Sequence, residues 1–220
     1  MITVHHLNNS RSQRVLWLLE ELGVAYEVRR YERDAQTMLA PPELRAVHPL
    51  GKSPVITDDG RTIAETGAIT EYLVGRYGDG RLVPPAGSEE RLRYTYWLHF
   101  AEGSAMPPLV MTLVFRSLPR AVPALIRPIA RRISAGVQQR FLNPTLAAQT
   151  ELMEAELTRS DWFAGPEFSA ADIMMSFPVE AAKQREVLGG RARLLGWLDR
   201  IHARPAWIAA LARGGPYAYA

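Results

Sequence analysis

The sequence predicts two domains, a small α/β domain in residues 1–80 and an all-helical domain in residues 88–220. Three observations lead to this prediction. Strand-like runs occur only before residue 66, the apolar residues beyond that point follow helical spacing, and the segment 81–87 contains two prolines and a glycine, as linkers between domains often do. A chain of 220 residues also has room for two cores of about 100 residues each.

The first half of the α/β domain has the order strand, helix, strand. Residues 2–7 alternate with β-branched members and predict a strand that ends at Asn8. In residues 12–22 the apolar side chains recur at helical spacing, and Gly23 follows as a helix stop. Residues 25–33 return to a period of two. Because a helix joins the two strands, we expect them to be parallel.

The second half of this domain follows an irregular stretch and has the order strand, strand, helix. Residues 34–53 contain several prolines, and a short helix is predicted around residues 37–47. Residues 54–57 and 62–65 flank an Asp-Asp-Gly-Arg sequence, which predicts a β-hairpin. Residues 66–77 then show helical spacing.

The second domain shows helical periodicity in the stretches 88–118, 134–160, 170–187 and 192–213, with an interruption at Pro107-Pro108. At the start of the third stretch, Ser169 precedes Asp172 by three residues and Phe168 stands before both. This is the pattern of a capping box, so we interpret it as a helix start with a structural role.

Composition excludes several kinds of site. The chain has no cysteine, so it offers no disulfide, thiolate metal site or cysteine nucleophile, and any thiol chemistry must use a thiol that a ligand brings. His5 and His6 are adjacent in a strand and face opposite sides, so we expect no metal site. The apolar runs are shorter than the about 18 residues of a membrane span, so we expect a cytoplasmic protein without a membrane partner.

The charge is mildly positive. The 26 Lys and Arg residues against 23 Asp and Glu give +3, which suits an anionic small molecule and does not require nucleic acid. Residues 116–140 contain six arginines interleaved with three prolines. We interpret this basic stretch as a solvated segment between helices, with a patch for nucleic acid or an acidic partner as the alternative.

Four short motifs connect the two-domain pattern with a known family. They are Ser10-Arg11-Ser12-Gln13-Arg14, Gly51-Lys52-Ser53-Pro54-Val55, Ala64-Glu65-Thr66-Gly67-Ala68-Ile69 and Phe168-Ser169-Ala170-Ala171-Asp172-Ile173. In this order and spacing they resemble the cytosolic glutathione transferases of the serine type found in bacteria and fungi, over the whole chain. The resemblance implies a thioredoxin-like domain that binds glutathione, a helical-bundle domain that lines a hydrophobic substrate site, and a homodimer.

Glutathione has two carboxylates, an ammonium group and a thiol. Glu65 and Thr66 stand where a strand ends and a helix begins, so the helix terminus and the Thr66 hydroxyl can bind the γ-glutamyl carboxylate. The resemblance implies that Glu65 accepts the ammonium group, and the family more often has Ser where Thr66 stands. The alternative is that Thr66 only caps its helix.

The Gly51–Val55 motif supplies candidates for the rest of the tripeptide. By resemblance, the Ser53–Pro54 peptide bond is cis and Ser53 offers its backbone to the cysteinyl unit. Lys52 is the candidate for the glycyl carboxylate. A solvated lysine and a proline that merely begins an edge strand are the alternatives.

Ser10 is our choice of catalytic residue. It lies in the loop before the first helix, where its hydroxyl can point at a sulfur while the helix terminus supplies positive potential. It also precedes Arg14 by four residues, as the catalytic hydroxyl does in the serine-type transferases. Ser12, Asn9 and a backbone N–H are the alternatives near the thiol, and a helix cap without chemistry is a further one.

The resemblance implies a glutathione S-transferase with glutathione as co-substrate, a small apolar electrophile as second substrate, peroxide reduction as a side activity, and a role in detoxification. Alternatives with the same fold are a glutathione-binding or regulatory scaffold and a glutathione-dependent isomerase or dehalogenase. We expect neither a metal nor a nucleic acid. Candidates for the apolar pocket, with packed core as the alternative, are His99, Met106, Met111, Leu113, Phe115, Tyr217 and Tyr219.

Overall fold

The computed structural model describes residues 1–37 and 39–219. The α/β part consists of β1 (Ile2–Leu7), α1 (Ser12–Leu22), β2 (Tyr26–Tyr31), α2 (Pro42–Val47), β3 (Val55–Asp58), β4 (Arg61–Ala64) and α3 (Thr66–Tyr77). This is the predicted element order, with strand ends shifted by one or a few residues.

The four strands form one sheet in the order β2-β1-β3-β4. β1 pairs with β2 in parallel, as expected for strands joined by a helix, with Val4 opposite Val28. On its other edge β1 pairs antiparallel with β3, placing Val4 opposite Ile56. β3 and β4 form the predicted hairpin. The mixed, thioredoxin-like sheet brings the loop after β1 and the segment before β3 to the same edge, which positions the site.

The prediction of a short helix around residues 37–47 is wrong about where the helix starts. Met38, which falls in the predicted range, lies outside the described residues. The helix begins at Pro42, because proline fits the first position of a helix, where no backbone donor is needed. Upstream, the Asp34 side chain accepts from the amides of Gln36 and Thr37, at 3.0 and 2.7 Å, which holds a turn.

The helical part comprises α4 (Glu89–Phe100), α5 (Met106–Ala121), α6 (Arg127–Val137), α7 (Asn143–Arg159), α8 (Ala170–Gln184), α9 (Ala192–His202) and α10 (Pro205–Gly214). Two π-helical turns, residues 101–105 and 138–142, connect α4 to α5 and α6 to α7. No helix formed by residues 1–37 and 39–219 is both long and apolar enough to cross a membrane.

The interpretation of residues 116–140 as a segment between helices is wrong. Residues 116–121 complete α5, and α6 fills most of the remainder. The prolines that suggested a loop are tolerated: Pro119 lies near the end of α5, and Pro128 lies in the first turn of α6, where its missing N–H costs nothing. These prolines therefore lie near the ends of two helices and do not indicate a loop through the whole segment.

Helix α8 is the buried centre of the helical part, with every residue from Ala170 to Ala182 buried. Its start is the predicted capping box, in which Asp172 accepts from the Ser169 amide at 3.1 Å. Asp172 also accepts from the Trp197 indole at 3.1 Å, and burial raises the pKa of its carboxyl to about 6. Helix α1 packs against α8 and α10, so the loop before α1 lies between the two parts of the chain.

Candidate functional site

A cleft of about 420 Å³ opens between the edge of the sheet and helices α5 and α8. Its charged lining residues are all cationic: Arg11, Arg33, Arg45, Lys52 and Arg185. An apolar side formed by Met106, Val110, Leu113 and Phe177 belongs to the helical part. The cleft thus combines a positive half with an apolar half, which suits a ligand with carboxylates beside an apolar group.

Ser10 lines this cleft at the amino end of α1, with 5% of its surface exposed. Its oxygen accepts from the Ser12 amide at 3.2 Å, which fixes the oxygen at the helix terminus. The hydroxyl lies 2.7 Å from the Ser12 oxygen and 3.4 Å from the Ser53 oxygen. A single proton therefore has two oxygen partners, and a ligand atom in the cleft can replace them.

Ser12 lies beneath Ser10 and is fully buried, so it does not line the cleft. Its oxygen lies 2.9 Å from Nδ1 of His6 in β1. Burial, together with the charge of Arg30, lowers the pKa of His6 to about 4, so the imidazole is neutral near pH 7. Neutral His6 can accept the Ser12 proton, which orients Ser12 as an acceptor for Ser10.

Asn9 also lines the cleft, in a left-handed conformation at φ 48°. Its side-chain oxygen accepts from the Ala218 amide at 2.8 Å, which ties the C-terminal tail to the loop after β1. Tyr219 lines the cleft and packs its ring on Phe177, with centroids 4.9 Å apart. The tail therefore closes one side of the cleft.

The residues before β3 face Ser10 across the cleft. The Ser53–Pro54 bond is cis, as the resemblance implied. The Ser53 hydroxyl donates to the His5 carbonyl at 2.9 Å and accepts from the Leu7 amide at 3.3 Å. Ser53 and the exposed Lys52 line the cleft, whereas Pro54 is buried and does not.

Glu65 and Thr66 lie at the start of α3, outside the lining of this cleft. Glu65 is exposed and has φ 70°, a conformation that costs about 1–3 kcal/mol for a residue with a side chain and is most often found at functional sites. Among the described residues, the amides of Thr66, Gly67 and Ala68 have no acceptor. The start of α3 thus presents free donors beside a carboxylate.

Arg14 connects the start of α3 with the helical part. Its buried guanidinium donates to the Met174 carbonyl at 2.6 Å, to the Thr66 hydroxyl at 3.4 Å, and to the Glu102 carboxylate. Arg11, at the cleft, lies 3.5 Å from the second oxygen of Glu102. Burial alone would raise the pKa of Glu102, but the charges of Arg14 and Arg11 outweigh it and hold that pKa below its usual value.

Comparison with known proteins shows the family to which this chain belongs. The model of the glutathione S-transferase N-terminal domain matches residues 1–75. Glutathione S-transferase 3 of Schizosaccharomyces pombe is 37% identical over 94% of this chain and 85% of its own length. The chain belongs to the glutathione S-transferase family. Glutathione S-transferase 1 of Saccharomyces cerevisiae is 30% identical over 95% of this chain and 93% of its own.

Solved structures of glutathione S-transferases share the whole fold. The crystal structure of one from Actinobacillus pleuropneumoniae has a TM-score of 0.83 and 29% identity, covering 100% of this chain and 95% of that one. A sphingomonad glutathione S-transferase in complex with glutathione has a TM-score of 0.72 and 23% identity, covering 97% and 98%. The family and the two-part fold predicted from the sequence are thereby confirmed.

The structure of this glutathione S-transferase brings some of the predicted site residues together. Ser10, Asn9, Lys52 and Ser53 share the cleft. Glu65 and Thr66 lie in a second cluster, and the contacts of Thr66 with Arg14, of Arg14 with Glu102 and of Glu102 with Arg11 connect it to the cleft. Of the apolar candidates, Met106, Leu113 and Tyr219 line the cleft, and His99, Met111, Phe115 and Tyr217 do not. Glu102 was not predicted from the sequence, because a single glutamate in a helical stretch does not indicate which residue it pairs with. The described residues contain no cluster that could hold a metal ion.

Proposed function

We propose that the protein is a glutathione transferase in which the Ser10 hydroxyl favours the thiolate form of bound glutathione. The observation that supports this most is that the hydroxyl lies at the amino end of α1, in a cleft whose charged lining residues are all cationic. A sulfur anion there gains a hydrogen-bond donor, the positive helix terminus and nearby cations.

The required stabilisation is of a size that these groups supply. A thiol with a pKa near 8.5 is only about 3% ionised at pH 7, and lowering that pKa by about 2 units corresponds to about 2.7 kcal/mol. A hydrogen bond to a charged group contributes about 1.5–3 kcal/mol, and a helix terminus about 0.3–1 kcal/mol. The Ser10 proton changes its partner from neighbouring serine oxygens to sulfur, while the Ser12 amide keeps the Ser10 oxygen in position.

The rest of the tripeptide has matching partners. The γ-glutamyl carboxylate takes the free amides at the start of α3 with the Thr66 hydroxyl, and Glu65 accepts the ammonium group. Ser53 pairs its backbone with the cysteinyl unit beside the cis Pro54, and Lys52 binds the glycyl carboxylate. This assignment explains why Glu65 retains a costly backbone conformation.

The second substrate is a small apolar electrophile held against the apolar side of the cleft. Met106, Val110 and Leu113 present flexible or branched side chains there, which suits a tolerant site. The thiolate forms a carbon–sulfur bond and the leaving group departs with its electron pair. With a hydroperoxide, the same thiolate attacks the terminal oxygen, and the oxygen–oxygen bond breaks to give glutathione sulfenic acid and an alkoxide that takes up a proton to become the alcohol. A second glutathione then reacts with the sulfenic acid to give glutathione disulfide and water.

The remaining features follow from the family. We infer a cytoplasmic homodimer with a role in detoxification. Exposed Leu92 and Tyr96 on α4 support a partner on that face, because large apolar side chains exposed together favour association. The scaffold and the isomerase or dehalogenase remain the competing functions for the same first domain.

A pH titration of thiolate ultraviolet absorbance tests the proposal. We expect a saturable complex of glutathione with the protein in which the thiol pKa is clearly lower than in free glutathione. Ser10→Ala should return that pKa most of the way to the free value while largely sparing affinity. Ser117→Ala, at an exposed serine on α5, is the matched control and should behave as the wild type.

Three outcomes would contradict the proposal at different points. Absence of binding would remove glutathione as the ligand. Binding without a pKa shift would support the non-catalytic scaffold. A shift that survives Ser10→Ala and disappears in Asn9→Ala would move thiolate stabilisation to Asn9.

A further inference from the structure

One surface of the helical part has no role in the proposed chemistry. It is the α5–α6 hairpin, defined here as residues 116–140. The longer segment 103–150 contains six arginines and no lysine, aspartate or glutamate, although the whole chain carries only +3. The rest of the chain is therefore net negative, and positive charge is concentrated on this one structural unit.

The arginines of the hairpin are exposed. They are Arg116, Arg120, Arg127, Arg131, Arg132 and Arg140. Within residues 1–37 and 39–219, none of these guanidinium groups has an ion-pair, side-chain hydrogen-bond or ring partner, whereas Arg14, Arg93 and Arg204 are all paired with carboxylates. Six unpaired cations without an acid among them give this surface a strong attraction for a dense anionic partner.

The same surface exposes apolar side chains. At the turn of the hairpin, Leu125 is 91% exposed and Ile126 is also exposed. On α6, Ile129 and Ile133 are 62% and 53% exposed. Isolated exposed apolar residues are ordinary, but four in nine residues among arginines form a patch.

Helix α6 arranges these residues in stripes along its length. Ala130 and Ser134 are buried against α5, where the Ser134 hydroxyl donates to the Phe115 carbonyl at 2.6 Å. Their neighbours Ile129 and Ile133 form a second i, i+4 pair, turned toward solvent. With 3.6 residues per turn, Arg127 and Arg131 form a third pair about 160° around the helix from the isoleucines, and Arg132 lies between these two pairs on the solvent side. Small residues thus anchor the helix, and its exposed face carries the isoleucines on one side of Arg132 and Arg127 and Arg131 on the other.

We propose that the α5–α6 hairpin docks this protein on the surface of an anionic lipid bilayer. Helix α6 has its exposed isoleucines next to Arg132, with Arg127 and Arg131 across the exposed face, so it can lie at the interface with the isoleucines among the acyl chains and the guanidinium groups at the lipid phosphates. The expectation of no membrane partner was based on the lack of a spanning segment, and a surface helix needs none. The proposal does not depend on the assignment of Ser10.

The same observations disfavour two other occupants. A symmetric contact with a second copy would bring the same arginines against each other without an acid to compensate them. A nucleic acid would satisfy the charge, but α6 has no aromatic residue for stacking, and its exposed isoleucines would stay in water. A bilayer accommodates the isoleucines and the arginines at once.

Co-sedimentation of the full chain with vesicles tests the proposal. We expect binding to phosphatidylcholine vesicles that contain phosphatidylserine, weakening as salt is raised, and little binding to phosphatidylcholine alone. The triple variant R127Q/R131Q/R132Q should bind the anionic vesicles about a hundredfold more weakly, since each arginine near the surface contributes about a factor of five. I129S/I133S should also weaken binding, in this case with little change in salt dependence.

The matched control removes the same number of charges elsewhere. R159Q/K183Q/R193Q changes exposed cations on α7, α8 and α9 and lowers the net charge equally. It should bind like the wild type, and circular dichroism with glutathione-column retention should show that all variants fold. Equal loss in the control, or no wild-type binding to either vesicle, would overturn the proposal.

Two further measurements separate the other occupants. Wild-type binding to single-stranded RNA in the absence of vesicle binding would assign the surface to nucleic acid and overturn the proposal. A solution mass by light scattering that falls in I129S/I133S would assign it to a second copy. A mass unchanged by that substitution, together with its loss of vesicle binding, supports the bilayer.

Discussion

Arginines in two regions of this molecule have opposite environments. At the start of α1, Arg14 is buried and its guanidinium is bound by a carbonyl, a hydroxyl and the Glu102 carboxylate. On the α5–α6 hairpin, Arg127 and Arg131 extend into solvent without a partner among the described residues. The contacts of Arg14 connect the start of α3 with the helical part, whereas the exposed arginines of the hairpin leave positive charge available to bind a partner molecule. Identical residue types therefore acquire a role only from their surroundings.

The largest effect should come from removing the buried charge. Arg14→Met keeps an apolar stem of similar length but leaves Glu102 without its buried partner and the Met174 carbonyl without a donor. Breaking one side of such a pair costs about 3–5 kcal/mol. The free energy of unfolding, from urea denaturation, measures it.

Arg116→Met, in the hairpin, is the matched control. Its guanidinium is exposed, so the free energy of unfolding should change by no more than about 0.5 kcal/mol. Equal effects of the two substitutions would show that Arg14 does not hold the parts together as its contacts indicate.

The second effect concerns His6 and pH. Its pKa is lowered from 6.5 to about 4 by burial and by Arg30. Because the folded pKa lies below the unfolded one, its contribution is fully present above about pH 6.5 and is lost as pH falls toward about 4. The loss over this window is on the order of 3 kcal/mol.

Urea unfolding of the wild type and of His6→Asn, at a series of pH values, measures this contribution. Asparagine offers an acceptor near Ser12 but does not titrate, so the variant should lose much less stability across the window. His99→Asn, at an exposed position on α4, is the control and should follow the wild type. Parallel curves for the wild type and His6→Asn would refute the assignment.

The third effect is on turnover. In Ser10→Ala the thiolate loses its hydroxyl donor, so we expect kcat with 1-chloro-2,4-dinitrobenzene to fall by about one hundredfold, with a KM for glutathione within a few-fold of the wild type. Steady-state kinetics with both substrates varied provide the measurement. Unchanged turnover would eliminate Ser10 as the catalytic residue.

Sequence patterns were sufficient for the parts of this structure that depend on local chemistry. The α1 spacing, the β-hairpin and the Ser169–Asp172 capping box are properties of neighbouring residues, and the structure confirms them. Sequence patterns were insufficient for proline, which occurs both in loops and at the ends of helices. Pro119 and Pro128 suggested a loop, whereas they lie near the end of one helix and at the start of another.

The candidate site shows the same limit at longer range. The positions of Ser10 before α1 and of Lys52 and Ser53 before β3 could be predicted, because these residues belong to short sequence motifs. The pairing of Arg14 with Glu102 joins residues 88 positions apart, and the hydrogen bond between His6 and Ser12 crosses from a strand to a helix. Such contacts depend on tertiary packing, so no pattern of spacing reports them.

The smallest expected effect tests whether the layer beneath Ser10, the hydrogen bonds that join it through Ser12 to His6, matters for catalysis. Ser12→Ala removes the oxygen that joins Ser10 to His6 and leaves the buried Nδ1 of His6 without its partner. We expect a loss of about 1–2 kcal/mol in stability and a fall in kcat of about tenfold, because the Ser10 side chain then loses a contact that holds it in place at the amino end of α1. Ser176→Ala removes a buried hydroxyl whose hydrogen bond, in the part of the chain that the structure describes, goes to the Ile173 carbonyl within α8. It is the control for stability and should leave kcat unchanged. If both variants lose stability and neither loses turnover, the layer beneath Ser10 serves packing alone. A loss of kcat confined to Ser12→Ala means that β1, through His6, helps to position the catalytic hydroxyl.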